Sequence, residues 1–344
     1  MEQVDVLAVV GSCAPERMAF ARRLAIATGR IFIAAGRLSA SPDPLDEALA
    51  LAPWAQEAGA VIEIPGSILA TELVGTLAQQ DAPTELSGVI CVVDAAHLLR
   101  DLGRDDYIVR RPRVWREGAS VRYTARAMLT VQQLEFASTI VLVNWDALET
   151  DELATVMALI SHLSPQARVD LDDERRAIAT DGVAYSVGQE RPGWVTILNH
   201  EFAPQFTDER VSAGRYEQLR PLHPGRLQQF LDERLEPREF GTVIRSAGFC
   251  RLATRPDVSA QWDHIGSMIS FDPLVSAAGD DEDASLLAIG QEIAIIGLDL
   301  DLEALGVALD EAALTDAELL AGREAWATFD DPFPAWNVSA ERTD

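Results

Sequence analysis

The sequence predicts an α/β protein: a mostly parallel sheet with helices on both faces, followed by a smaller α+β domain. First, apolar runs over 4–10, 60–64, 89–94 and 139–143 alternate with segments of helical periodicity. Continuous apolar runs of this kind are typical of parallel strands that are covered on both faces. Second, the predicted strands in the last third of the chain look antiparallel and occur together with helices. Third, a length of 344 residues corresponds to about two domains.

The other elements of the first half are predicted from the helical spacing of apolar residues and from proline and glycine residues that mark helix boundaries. Pro44 opens a predicted helix over 45–58, and Gly59 ends it. The remaining predicted elements of this half are a short strand at 31–34 and helices at 15–27, 68–79, 120–137 and 151–163.

The regular pattern dissolves after the last of these helices. Residues 166–215 are predicted to form a linker with short strands, such as 194–198, because a charge run, glycine and proline interrupt the pattern. Order returns with a helix at 224–235, strands at 242–245, 249–253, 267–271 and 292–298, and a helix at 302–312. We therefore divide the chain into a first domain over 1–165, the linker, a second domain over 216–336 and a tail over 337–344.

The composition disfavours several classes of function. The chain has 28 basic and 55 acidic side chains and a formal net charge of −27, which disfavours binding to nucleic acid or to an anionic membrane. No apolar run approaches the ~20 residues that span a bilayer, and no signal peptide is expected. The three cysteines, Cys13, Cys91 and Cys250, lie far apart in sequence, so a disulfide framework is not expected. A cytoplasmic location is the expectation.

The chain contains no lysine, and this absence matters at the end of the first strand. That strand runs into Gly11-Ser12-Cys13-Ala14-Pro15-Glu16-Arg17-Met18. A P-loop at this place would read Gly-x-x-x-x-Gly-Lys-[Ser/Thr], in which backbone N–H groups hold phosphates, the lysine reaches the β/γ oxygens and the hydroxyl binds Mg²⁺. The sequence therefore predicts a turn in the position of a P-loop without the chemistry of a P-loop.

Polar residues follow the predicted parallel strands at their carboxyl ends. They are Gly11, Glu63, Asp94 and Asp146. Ligands of doubly wound sheets bind at this edge, so the four positions predict a binding site. Strand ends are also polar simply because they meet loops, and for any single residue that explanation is about as good.

The second half contains phrases that resemble a known family. Residues 220–227 (Arg-Pro-Leu-His-Pro-Gly-Arg-Leu), 243–249 (Val-Ile-Arg-Ser-Ala-Gly-Phe) and 252–257 (Leu-Ala-Thr-Arg-Pro-Asp) are similar to successive phrases in the C-terminal domain of CobW-type GTPases. The segments 314–319 and 331–336 resemble endings found in actinobacterial members of that family. His223 and Trp262, which belong to this resemblance, are interpreted as structural residues more readily than as ligand-binding ones.

The resemblance implies that the first domain is a P-loop GTPase-like domain whose nucleotide motifs are degenerate. Glu16, Arg17 and Met18 occupy the Gly-Lys-Thr positions of the family's P-loop. Gly11, Ser12 and Arg17 are the implied nucleotide-binding residues of this turn. Arg17 could offer a positive charge, but Met18 cannot bind Mg²⁺ and Glu16 would place a carboxylate beside polyphosphate.

The same resemblance assigns roles to residues that follow later strands. Glu63 and Asp94 align with the acidic residues implied to serve Mg²⁺, water positioning and catalysis. The guanine-reading segment falls on 143–146, where Asp146 is in register and Asn144 lies one position late; both are implied nucleotide contacts. Trp145 could stack on a base or pack against the protein, and packing is favoured.

The family's high-affinity thiolate metal segment has no counterpart. Residues 28–62, where it should lie, contain neither cysteine nor histidine, so no zinc thiolate site is expected and no metal ligand is assigned. The acidic loop over 280–283 could attract hard cations weakly but is interpreted as a solvated loop.

Three functional hypotheses follow from the resemblance. The first is a pseudo-GTPase related to zinc or cobalt homeostasis that acts as a binding or regulatory module, with a protein partner or client and with GTP and Mg²⁺ bound weakly or not at all. The alternative is an active GTP-hydrolysing metallochaperone with an atypical P-loop. A third, intermediate hypothesis is that Ser12 and the backbone of 11–17 bind nucleotide without fast hydrolysis.

Overall fold

The computed structural model describes residues 3–110, 122–173, 184–186, 191–274 and 290–336. Their contacts divide the chain into two compact units. The first comprises Met1–Gly193 and Ala203–Asp208, and the second comprises Trp194–Phe202 and Glu209–Asp344. Each unit has its own sheet, as the sequence predicts.

The first unit is built on a six-stranded sheet in which every pairing is parallel. The strand order is β2-β3-β1-β4-β7-β8. The bounds are β1 Val4–Val10, β2 Ile31–Ile33, β3 Ala60–Glu63, β4 Thr84–Asp94, β7 Thr139–Val143 and β8 Arg168–Leu171. All five residues of β7 are buried, and since successive side chains point to opposite faces, both faces of the sheet are covered there.

The helices of this unit alternate with the strands, which confirms the predicted α/β class. They are α1 Ala14–Thr28, α2 Ala35–Leu38, α3 Pro44–Leu51, α4 Ala70–Leu77, α5 Leu98–Leu102, α6 Arg126–Glu135 and α7 Thr150–Leu163. The apolar face of α1 packs against the sheet through Phe20 and Leu24, which join a core cluster with Leu7, Val9 and Val92. This packing fixes the position of the turn that connects β1 to α1.

Two predicted elements of the first half have different forms in the structure. The helix expected over 45–58 ends at Leu51 and continues as a 3-10 helix over Ala52–Ala58. The helix expected over 120–137 begins at Arg126 instead, because the preceding residues form strand β6 (Arg122–Ala125), which pairs antiparallel with β5 (Tyr107–Arg110). β6 includes Tyr123 and Thr124, residue types that favour strands.

The strand expected over 194–198 is wrong, since these residues form helix α8 (Gly193–Leu198). Its β-branched residues suggested a strand, but Thr196 and Ile197 are buried, and tertiary packing of this kind overrides local propensity. The predicted interval 166–215 also contains β8, which completes the parallel sheet, and most of β9 (Val211–Gln218), which belongs to the second sheet.

The second unit contains a five-stranded antiparallel sheet and helices, which confirms the predicted α+β class. The strand order is β12-β11-β10-β13-β9, with β10 Thr242–Cys250, β11 Ala260–Ile265, β12 Met268–Pro273 and β13 Gln291–Leu298. The strands expected at 242–245 and 249–253 are one continuous strand, β10. The helices are α9 Pro224–Phe230, extended by a π-helical turn over Leu231–Leu235, then α10 Leu302–Ala312 and α11 Asp316–Trp326.

A buried polar network ties β10 to β11. Trp262 Nε1 donates to Ser246 Oγ at 2.8 Å, and Ser246 Oγ lies 3.2 Å from His264 Nδ1. The guanidinium of Arg245 pairs with Asp263 and donates to the carbonyl of His264 at 3.3 Å. Burial, with a further contribution from Arg245, lowers the pKa of His264 to about 4. Trp262 and His264 are therefore structural here.

The last described residues form a tail that Arg255 holds against the second unit. Its guanidinium donates to Asp331 Oδ2 at 3.0 Å and to the carbonyls of Phe333 and Pro334 at 2.9 and 2.8 Å. The same guanidinium lies 4.3 Å from the centre of the Trp336 ring. Two of the family-like phrases, around Arg255 and around Pro332, are thus the two sides of one contact.

α9 and α11 are joined in a similar way. Arg226 donates to both carboxylate oxygens of Glu318 at 2.9 and 2.8 Å, and this pairing is the main reason that the pKa of Glu318 is lowered to about 2. His223 accepts from the backbone N–H of Arg226 and stacks on Phe329 at 4.4 Å. The phrase around His223 is therefore explained by packing and capping.

Within the described residues, none of the helices combines the length and the apolar character that crossing a membrane requires.

Candidate functional site

The turn between β1 and α1 occupies the position of a P-loop but is short. It contains only Gly11, Ser12 and Cys13, because α1 already begins at Ala14. Gly11 has a φ of +145°, and a Cβ atom on it would lie 2.2 Å from the carbonyl oxygen of Val92 in β4. Only glycine fits this close approach of two strands. The packing of the sheet therefore explains why glycine is at position 11, and no phosphate-binding role is needed to account for it.

Arg17 and Glu63 form a buried ion pair directly behind this turn. The side chains are 5% and 4% exposed, and Arg17 Nε and Nη2 each lie 3.3 Å from Glu63 Oε1. The other oxygen of Glu63 accepts from the backbone N–H of Ala35 at 3.1 Å. Arg17 Nη1 donates to the carbonyl oxygen of Gly11. All of the guanidinium nitrogens and both carboxylate oxygens thus have partners within the protein.

This arrangement determines which groups of the turn face the guanidinium. The carbonyl oxygen of Gly11 points to Arg17, whereas a phosphate cradle requires backbone N–H groups that point to a common centre. Gly66, which follows β3, lies on the other side, since a Cβ atom on it would be 3.2 Å from Arg17 Nη1. The Arg17 side chain therefore lies between the two glycine-containing turns.

The first turn of α1 also lacks groups that phosphate and magnesium need. Pro15 has no N–H, so one backbone donor at the helix N-terminus is missing. Glu16 places a carboxylate in that first turn, where the helix dipole would otherwise favour a bound anion. Met18 is 38% exposed and offers a thioether where a hydroxyl would bind Mg²⁺.

The cysteines of the described chain are held as neutral thiols. Burial raises the pKa of Cys13 to about 11, and the carboxylates of Glu16 and Asp94 add to the shift. Cys13 Sγ lies 3.3 Å from the carbonyl oxygen of Val92. Burial likewise raises the pKa of Cys250 to about 12 and that of Cys91 well above its usual range. Since a thiolate is the form that binds soft metals, the protonated thiols are poor ligands.

A second cluster forms at the carboxyl ends of β4 and β7, where the sequence predicted strand-end ligands. Asp94 Oδ2 accepts from Asn144 Nδ2 at 3.1 Å and lies 2.8 Å from His97 Nδ1. Asp94 Oδ1 accepts from the backbone N–H of Ala96 at 3.1 Å. Asn144 has a left-handed backbone, with φ +53°. The structure thus brings Asp94 and Asn144 together, with His97 as a third member that sequence reasoning missed.

The spacing of Asp94 and His97, three residues apart, is a signal that could have identified His97. Trp145 donates through Nε1 to the carbonyl oxygen of Asp172 at 3.1 Å, so it packs as favoured above. Asp146 is exposed in a 3-10 turn next to this cluster. Ser12 is exposed and its hydroxyl lies 3.4 Å from Asp101 Oδ2, a contact that no sequence motif indicated.

No three His, Cys, Asp or Glu side chains come close enough to hold a metal ion among the residues that the structure describes. The acidic loop over 280–283 lies outside the described residues.

Comparison with known proteins agrees with this architecture. The family described as the cobalamin synthesis protein cobW C-terminal domain matches residues 211–313. A curated protein, zinc-regulated GTPase metalloprotein activator 1 of Dictyostelium discoideum, is 25% identical over 227 residues, which is 59% of this chain and 47% of the relative. The chain therefore spans about half the length of this curated relative.

Two solved structures are also similar to the chain. They are a zinc-bound triple mutant of the YjiA GTPase, with 13% identity and a TM-score of 0.40, and zinc-bound YjiA from E. coli, with 14% identity and a TM-score of 0.35. Each covers 91% of this chain and 100% of the solved chain. Because both TM-scores are below 0.5, we base the fold on the strand order of the two sheets.

A parallel α/β unit with a turn in the P-loop position, followed by an antiparallel α+β unit, is the architecture of a two-unit protein of the P-loop NTPase-like kind. The second unit contains a CobW C-terminal domain over residues 211–313, and the chain is similar to a zinc-regulated GTPase metalloprotein activator over 227 residues.

Proposed function

We propose that this protein is a pseudo-GTPase of the CobW-type family that serves metal homeostasis as a binding or regulatory module. One observation carries the proposal. The sequence resemblance gives Arg17 the position of the family's P-loop lysine and Glu63 that of its magnesium-linked carboxylate, and in this protein the two form a buried ion pair in which each group already has its partners. A triphosphate and Mg²⁺ would have to break these contacts to reach either side chain.

The electrostatics of the turn support the same conclusion. Glu16 adds a negative charge in the first turn of α1, and a like charge close to a polyphosphate is unfavourable. Arg17 cannot replace the lysine simply by moving, because its departure would leave the buried carboxylate of Glu63 unpaired. Asp94, the second carboxylate implied in catalysis, is held by Asn144, His97 and Ala96.

The link to metals comes from the relatives. The similar protein of Dictyostelium is a zinc-regulated activator of metalloproteins by its name, and both similar solved structures contain zinc. A module that retains the family's C-terminal domain but does not turn over GTP would act through a protein partner. We therefore expect a partner in the handling of zinc or cobalt, bound without nucleotide.

Isothermal titration of the purified protein with Mg²⁺-GTP tests the loss of nucleotide binding. We expect no saturable heat at concentrations up to about 1 mM, and no phosphate release above the rate without protein. A dissociation constant in the low micromolar range would refute the proposal and favour the alternative, an active GTPase with an atypical P-loop. In that case Arg17→Ala should abolish binding, whereas Arg37→Ala, a change at an exposed arginine, should leave it unchanged.

A second experiment separates a binding module from a metallochaperone. Affinity capture from zinc-starved cells is performed in buffer without nucleotide and again with a non-hydrolysable GTP analogue. A binding module should retain the same partner in equal amount under both conditions. A partner that is captured only with the analogue would show that nucleotide controls the complex, which contradicts the proposal.

A further inference from the structure

A cavity of about 270 Å³ lies beside the β1–α1 turn, entirely within the first unit. One wall is formed by Ser12, Arg17 and Gly66, and another by the segment around Asp101 and Arg104. The third wall is one face of α6. Its lining residues Arg126, Leu129, Thr130 and Gln133 are spaced by three, four and seven positions, which places them on the same side of a helix.

Gln133 is the residue of this wall that points most directly to a ligand. It is 2% exposed and lines the cavity, and no hydrogen bond of its carboxamide is seen among the described residues. Its amide atoms are not among the fully buried side-chain atoms that lack a partner, so they are open to the cavity, where water or a ligand satisfies them. Its carboxamide offers two donors and one acceptor to a molecule in the cavity.

The three arginines of the wall differ in what they have left to donate. Arg17 is engaged by Glu63 and Gly11, and Arg104 forms a two-point contact with Asp106 through Nε and Nη2, at 2.6 and 3.0 Å. Within the described residues, Arg126 contacts Asp106 through Nε alone, at 2.6 Å, and its two terminal nitrogens have no partner there. These nitrogens remain as charged donors at the cavity.

One guanidinium of the lining keeps donors for an anion, although the charges around the cavity are balanced. Among the described residues, the three guanidinium groups of the wall face three carboxylates: Glu63 and Asp106 outside the wall, and Asp101 within it, 3.7 Å from Arg104. Asp101 also lies 3.4 Å from the hydroxyl of Ser12. A guanidinium with free terminal nitrogens is a preferred partner for carboxylate and phosphate oxygens.

We propose that this cavity binds a small molecule with an oxyanion group, a carboxylate or a phosphate, through the guanidinium of Arg126 and the carboxamide of Gln133. Arg126 and Gln133 lie seven residues apart on α6, which is about 10 Å along the helix axis. The bound molecule therefore either has a polar group at each end or is reached by the long Arg126 side chain bending toward Gln133. The volume is below the usual range of pockets for drug-sized ligands, which favours a small metabolite over a nucleotide.

The test is isothermal titration of the full-length protein with two probes, inorganic phosphate and succinate, in buffer free of nucleotide and magnesium. We expect saturable binding of at least one probe, and the stronger probe identifies the oxyanion. Gln133→Leu and Arg126→Gln should each weaken this binding about tenfold or more, since hydrogen bonds to charged groups are lost. Gln132→Leu is the matched control, because the side chain of Gln132 is not part of the wall. This variant should bind the probe as tightly as the parent protein does.

Two outcomes would overturn the proposal. The first is the absence of saturable binding of either probe below about 10 mM. The second is binding that Gln133→Leu and Arg126→Gln both leave unchanged. Arg126 is exposed, so its variant keeps the test decisive if Gln133→Leu does not fold. The two α6 variants separate this proposal from the pseudo-GTPase proposal, because phosphate bound at the β1–α1 turn itself would still bind after Gln133→Leu and Arg126→Gln.

Discussion

Replacing Arg17 with methionine should destabilise the first unit strongly. The change removes the guanidinium but keeps an unbranched side chain of similar length in the buried space behind the turn. Glu63, whose side chain is 4% exposed, would lose the one charged partner that it has among the described residues, and breaking a buried pair in this way costs about 3–5 kcal/mol. The carbonyl of Gly11 would lose its bond from Arg17 as well, which adds to this cost.

The assay is urea unfolding followed by circular dichroism, with the transition of the first unit assigned by hydrogen exchange of its peptides. A loss of 3–5 kcal/mol corresponds to a midpoint lower by about 1–3 M urea. Arg37→Met is the matched control: Arg37 pairs with Glu47 at 3.0 Å, but its side chain is 64% exposed. Such a surface pair contributes about 0–1 kcal/mol, so the control should unfold close to the parent protein.

A double variant distinguishes a lost charge partner from a general packing defect. Arg17→Met combined with Glu63→Gln removes both charges and keeps an acceptor for the N–H of Ala35. It should be more stable than Arg17→Met alone, because no unpaired charge remains buried. Our reasoning is refuted if Arg17→Met costs no more than Arg37→Met, or if the double variant is the least stable of the three.

Two further predictions concern the backbone of the turn and the buried histidine. Gly11→Ala should lower the stability of the first unit by more than about 2 kcal/mol, since the new Cβ would lie 2.2 Å from the Val92 oxygen. Gly29→Ala should cost only about 1 kcal/mol, because Gly29 has φ +70° but no atom within 4 Å of the new Cβ. Urea unfolding of both variants decides this, and equal costs would contradict the close approach. Burial lowers the pKa of His264 from 6.5 to about 4, so the neutral ring's stabilisation of the second unit is complete above pH 6.5 and is lost as the pH falls through 4, by about 3 kcal/mol in total. His264→Gln should remove this slope from a series of unfolding curves between pH 7 and 4, and an unchanged slope would show that other groups cause it.

The order of strands and helices in the first unit could be predicted because burial on both faces leaves a direct trace in the sequence. The run Thr139–Val143 is an example: all its residues are buried, and an uninterrupted apolar segment of that length is characteristic of a central parallel strand. The first and last strands of the predicted set, β1 and β13, and the helix α10 follow from the same kind of local pattern.

The elements that could not be predicted depend on contacts between distant residues. The strand β6 directly precedes α6 and exists through its pairing with β5, and nothing local separates it from the helix. The residues of α8 have strand propensity, and burial in the second unit determines their helical form.

The places of Arg17 and Glu63 along the strands could be predicted from the sequence, but the contact between them could not, and their functional roles stay a prediction. Sequence spacing placed Arg17 after β1 and Glu63 at the end of β3 as separate features. Their contact, across 46 residues, depends on β1 and β3 being neighbours in a register that sets Val9 beside Glu63. The cavity residues Arg126 and Gln133 match no motif, and only the folded position of α6 brings them to the turn.

The contacts of Arg255 with the tail determine where this protein can be truncated without loss of the second unit's packing. The family match ends at residue 313, but Arg226 and Arg255 find their carboxylate partners at Glu318 and Asp331. A fragment that stops at the family boundary would leave both guanidinium groups without these carboxylate partners. It would also lack Trp336, which donates to the carbonyl of Phe271 at 2.9 Å. The smallest autonomous piece of the second unit therefore extends at least to residue 336, some twenty residues beyond the boundary that sequence similarity suggests.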